Sequence, residues 1–166
     1  YEIFGLGLPD LELMRRTLMA TGKDGIIVTA WRQGNIHAAR LGDSKLAKEL
    51  NLKKMDNGPY RFPAFWPEDS DWAPDPNWGG SGMIGMQEML MPTPPSLDEV
   101  KSGKQGKIRL LPAWPQEWDV DFKLHAQGQT TVEGALIEGK LTELTVVPTS
   151  RQQDLIIFDG EDETQH

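Results

Sequence analysis

The chain has 166 residues, 38% of them apolar and 25% charged, which is the balance of a soluble globular protein with room for one substantial domain or two small packed units. Twenty-five acidic residues against 17 basic ones give a net charge of −8, which argues against nucleic acid or an anionic membrane as a partner and leaves neutral ligands open. The absence of cysteine excludes disulfides, thiol nucleophiles and sulfur-ligated zinc. No apolar run reaches the length of a membrane span. The chain opens on Tyr1 rather than methionine, so an upstream segment with any targeting signal is expected.

The first region reads as helical. In "GLPDLELMRRTLMATG" Pro9 stands near a helix start, Leu11, Met14 and Leu18 share a face, and Gly22 falls where a C-terminal cap belongs. "NIHAARLGDSKLAKEL" predicts two helices, Ile36 to Leu41 ended by Gly42, then a second capped by Asp43 or Ser44. "SGMIGMQEMLM" (81–91) predicts another apolar helix, stopped by Pro92. Gly82 and Gly85 each cost that helix roughly 1 kcal/mol relative to alanine. Close approach of another helix, or of a ligand, is the compensation expected. Met83, Met86, Met89 and Met91 read as core filling rather than a binding stripe.

Residues 55–80 show no period, yet hold five prolines and three of the six tryptophans. Long aperiodic loops in compact domains are usually functional or disordered, and the aromatic content here favours an ordered loop that lines something. Within it Asp75 sits between Pro74 and Pro76, which hold its backbone extended, and "NWGG" follows. Asp75 with Trp78, and with Trp66 and Trp72 close in sequence, is the strongest constellation in the chain. A sugar packs its C–H face on an aromatic ring while its hydroxyls seek acceptors. One carboxylate does not make a glycosidase, since hydrolysis normally needs two flanking the bond. A turn residue is the plain alternative for Asp75. Glu68, Asp69 and Asp71 in "PEDSD" read as a solvated turn.

Residues 92–106 are a linker by composition. Beyond it the period changes to two. "KIRLLPAW", "WDVDFKLH", "TTVEGALI", "KLTELTVV" and "DLIIF" predict five short strands of an antiparallel sheet, one layer of a sandwich or part of one, with "EGK" (138–140) as a hairpin turn. Trp114 and Trp118 are expected at the helix–sheet junction, and 159–166 is an acidic tail. The three histidines have no metal-ligand spacing. His37 is either turned toward a pocket with Gln33 and Asn35 or hydrogen-bonded at a helix edge. No nucleophile elbow, P-loop or dinucleotide fingerprint is present, so no cofactor and no metal are expected.

Three segments carry a resemblance. "IRLLPAWPQEWDVDFKLHAQGQTTVEGALIEGKLTELTVVPTSRQQDLII" resembles the C-terminal region of bacterial six-hairpin glycosidases related to glycoside hydrolase family 95, the α-L-fucosidase-like enzymes. "AARLGD" (38–43) looks like the family's late barrel helix, and "PDPNWGGSGMIGMQEMLM" like its active-centre loop and final helix. The resemblance implies an α+β chain in which 1–91 are the last helices of an (α/α)₆ toroid with their active-centre loop, 92–106 a linker, and 107–158 a terminal antiparallel β-domain. It implies an inverting parent enzyme in which Asp75 belongs to the base side and the glutamate acid lies upstream. Trp78, Trp66, Trp72, Asn77, Gln33, Asn35 and His37 are then the candidate substrate-binding residues. The implied ligand is an oligosaccharide or polysaccharide, the implied partner the remainder of the parent chain, and the implied location secreted or periplasmic in a bacterium. The alternatives are a non-catalytic carbohydrate-binding module and a structural β-domain cap.

Overall fold

The structure is a computed structural model that describes residues 5–20, 32–56, 76–92, 105–159 and 162–165, with only the backbone of 76–78, 159 and 162–165. Among the described residues four helices precede two three-stranded sheets, so the chain is α+β. Helix α1 is Leu11–Ala20, α2 Gly34–Arg40, α3 Ser44–Met55 and α4 Pro76–Leu90. The strands are β1 Ile108–Leu110, β2 Val120–Ala126, β3 Thr130–Ile137, β4 Lys140–Val147, β5 Leu155–Asp159 and β6 Asp162–Gln165. A 3₁₀ turn, Thr149–Asp154, joins β4 to β5.

Local chemistry sets the helix ends. Gly42 takes φ +73° and its N–H donates to the Ala39 carbonyl, closing α2. Asp43 then caps α3, its carboxylate accepting from the Leu46 N–H at 2.9 Å. Met14 in α1 is buried with Leu8 and Leu41, and Leu11 and Leu18 pack on that cluster, which is the face the periodicity predicts. Helix α4 starts at Pro76, five residues before the expected start. Proline suits the first helical position because its φ is preset and the N–H it lacks has no helical acceptor there. Asn77, Trp78, Gly79 and Gly80 are therefore helical rather than part of a loop.

Helices α2, α3 and α4 pack pairwise on one another. Gly82 and Gly85 of α4 face those neighbours. A Cβ on Gly82 would lie 2.8 Å from the Met55 methyl, and one on Gly85 would lie 2.2 Å from Asn35 Nδ2. Helix-to-helix contact is what these glycines permit. Of the four methionines, Met89 and Met91 are fully buried and Met86 packs against the core, but Met83 is exposed.

Strands β2, β3 and β4 form an antiparallel meander in the order β2-β3-β4. Glu138 and Gly139 turn β3 into β4 with φ of 49° and 72°, the two positive values of a type I′ hairpin. The second sheet departs from an all-antiparallel expectation. Its order is β1-β5-β6, β1 pairs with β5 in parallel, and β6 lies within the segment read as an acidic tail. The β1–β5 pairing spans the whole meander, and no local signal encodes it. Arg151 fastens the crossing. Its guanidinium donates to Thr130 Oγ1 at 3.3 Å, Asp154 Oδ2 at 2.6 Å and the Gly106 carbonyl at 2.8 Å.

One apolar core joins the helices to the sheets. Ala38, Ala47, Leu50 and Met89 from the helices meet Ile108, Leu110, Trp114, Val132 and Val146 from the strands and their connections. The backbone continues the join, with the Leu111 and Ala113 N–H groups donating to the Leu90 and Met89 carbonyls. Trp114 and Trp118 meet edge to face at 5.7 Å, Trp114 Nε1 donates to the Trp118 carbonyl, and Lys48 of α3 lies over the Trp118 ring. They stand at the helix–sheet junction, as the sequence predicts.

Candidate functional site

The residues singled out by sequence fall into two groups. Asp75, Trp66 and Trp72 lie outside the described residues, as does the segment 93–104 of the expected linker. Asn77 and Trp78 occupy the first turn of α4, immediately after Asp75, with backbone alone described. Gln33, Asn35 and His37 are all on or beside α2.

Helix geometry separates those three. Gln33 is the residue before α2, its carbonyl accepting the His37 N–H. Residues four apart share a face, while residues two apart diverge by about 200° around the axis. Gln33 and His37 therefore lie together and Asn35 turns the other way. Asn35 is 0% exposed. Its Nδ2 donates to the Ser81 carbonyl of α4 at 2.8 Å and to Asn51 Oδ1 of α3 at 3.1 Å. Asn51 Nδ2 in turn donates to the Ala47 carbonyl at 3.0 Å and approaches Met89 Sδ at 2.9 Å. Among the described residues Asn35 Oδ1 has no hydrogen-bond partner.

This buried amide seam spans three helices and grips α4 at Ser81, three residues after Trp78. A buried polar group must be hydrogen-bonded or it costs stability, so the seam fixes the rotation of α4 as well as its position. Gly85 leaves the space in which both amides lie. One turn further, Arg40 and Glu88 form a two-pronged ion pair, Nε to Oε2 at 3.0 Å and Nη2 to Oε1 at 2.8 Å. Ser81 and Glu88 of α4 are thereby both tied to α2. Asn51 and Glu88 had no signal in sequence beyond being polar residues on apolar helix faces.

His37 is half-buried in the last turn of α2. Burial of the imidazole lowers its pKa below the usual 6.5, and nearby positive charge, that of Arg40 included, pushes the same way. The folded state then binds this proton less readily than the unfolded chain. Stability contributed by neutral His37 is complete above pH 6.5 and falls as pH drops from there toward the lower folded value. Urea midpoints measured from pH 8 to pH 5 should therefore fall more steeply below pH 6.5 in the native chain than in His37→Gln. Parallel curves would remove His37 as the source.

Among the described residues no three of His, Asp and Glu come together as a metal-binding group. No described helix is long and apolar enough to cross a membrane. Compared with known proteins, the chain matches no family model and no curated sequence.

Proposed function

We propose that the chain is the C-terminal part of an inverting glycoside hydrolase acting on neutral glycans, in which Asp75 serves the base side of a centre completed by upstream residues. The observation that carries this reading is the seam. A helix whose first turn holds Asn77 and Trp78 directly after a proline-braced aspartate is locked to α2 and α3 by Asn35, Asn51 and the Arg40–Glu88 pair. Catalytic groups need such rigid support, because small misplacements cost rate steeply. In this reading Trp78, Trp66 and Trp72 form aromatic walls, Gln33 and His37 face the sugar, and Asn35 acts as a positioning residue through α4. The helices are the last of an (α/α)₆ toroid and the sheets a sandwich-type terminal domain.

With its acid upstream, the chain alone binds glycan without turning it over. In the complete secreted enzyme, Asp75→Asn should lower kcat by about 10²-fold or more, the usual share of a general base, with KM little changed. Turnover within a few-fold of the unsubstituted enzyme would end the assignment. A second reading, that the sheets are a structural cap, is favoured by their single continuous core with the helices. It predicts no glycan binding by any part of the chain.

A further inference from the structure

Arg109 is the middle residue of β1, between Ile108 and Leu110, which point into the main core. Alternation sends its side chain to the opposite face of the β1-β5-β6 sheet, beside Ile156 in register. There it is 7% exposed. Its guanidinium lies on the loop before α1, so close to Gly7 that a Cβ at that position would fall 1.9 Å from Nη2 and 2.4 Å from Cζ. Gly7 has φ +83°, a conformation that already favours glycine. The loop is built to lie bare against this cation.

Nothing in the described residues answers the charge. Among the described residues Arg109 donates no hydrogen bond and joins no ion pair. The contrast with its fellows is sharp. Arg40 has Glu88, and Arg151 has Asp154, Thr130 and the Gly106 carbonyl. A guanidinium keeps its charge, and one held this far from solvent is favoured by an anionic partner. Its fork of donors matches the two oxygens of a carboxylate. Little of the group is open, which suits one small anion and not a polyanion, and the net charge of −8 disfavours a polyanion as well.

We propose that Arg109, seated on Gly7, is a binding site for a single carboxylate, supplied either by a small free ligand or by an acidic side chain of a polypeptide. The site goes beyond the glycan reading and does not rest on it. The test is the Arg109 Nε–Hε signal in a ¹⁵N spectrum of the full 166-residue chain. Sodium acetate and an acetylated Gly-Asp-Gly peptide amide are titrated separately against sodium chloride at matched ionic strength. A saturable shift with acetate identifies a free carboxylate as sufficient, and one with the peptide alone identifies a polypeptide source. Arg109→Lys, which keeps charge but loses the fork, should bind at least tenfold more weakly, and Arg109→Met not at all. If either variant fails to fold, the native spectrum still decides. No saturable shift with either carboxylate, or an equal shift with chloride, overturns the proposal. Failure here leaves the tryptophan response to neutral glycans untouched, so the two readings fall separately.

Discussion

Replacing Glu88 by alanine should destabilise the protein by about 3–5 kcal/mol, the range for removing one partner of a buried ion pair. The side chains of Arg40 and Glu88 are 11% and 7% exposed, so solvent screens little of their attraction. Their two parallel hydrogen bonds also fix the distance between α2 and α4. Removing the carboxylate takes away the group that holds the Arg40 guanidinium with two hydrogen bonds. Removing both charges leaves neither group without its partner, so Arg40→Met combined with Glu88→Leu should recover most of the loss. Domains of this size are stable by about 5–15 kcal/mol, which makes the single change a large fraction of the total. Urea denaturation of the two single variants and the double variant checks this. A Glu88→Ala midpoint within error of the native chain would show that the pair is not formed.

Leu110→Ala should cost about 2–5 kcal/mol, since the side chain is fully buried and the cavity has rigid walls. For a chain of this length that corresponds to a fall in Tm on the order of 2–4 °C per kcal/mol. The more telling result is which signals fall. Leu110 belongs to the core shared by α2, α3, α4 and both sheets. The far-ultraviolet helix signal and the near-ultraviolet signal of Trp114 should therefore shift together. A helix signal that keeps its native midpoint while the tryptophan signal drops would mean that helices and sheets unfold independently.

How much of this was legible in sequence differs by the range of the interaction involved. The meander was legible, because Val120, Phe122 and Leu124 alternate with charged residues and Glu138-Gly139 has hairpin chemistry. The α2–α3 break was legible from Gly42 and Asp43 for the same reason, since each acts on its own neighbours. The start of α4 was not. Two glycines after Trp78 lower helix propensity, and tertiary anchoring at Ser81, Gly85 and Glu88 overrides that cost. The parallel β1–β5 pair depends on Arg151 reaching back to Gly106 across 45 residues, which no window of sequence contains. The candidate site divides the same way. Asp75 and the tryptophans announced themselves by composition, whereas Asn51, Glu88 and Arg109 are ordinary letters whose meaning comes from burial.

The grip on α4 gives the glycan reading its physical content, since it holds at Ser81 the helix whose first turn includes Trp78. The most direct measurement is a two-dimensional amide and indole spectrum of the chain titrated with neutral oligosaccharides. Saturable shifts of the Trp66, Trp72 or Trp78 indoles, with the Trp114 and Trp118 indoles unmoved at the junction, are the predicted result. Indoles that do not move with any neutral glycan, in a chain whose helical amides are well dispersed, would contradict it.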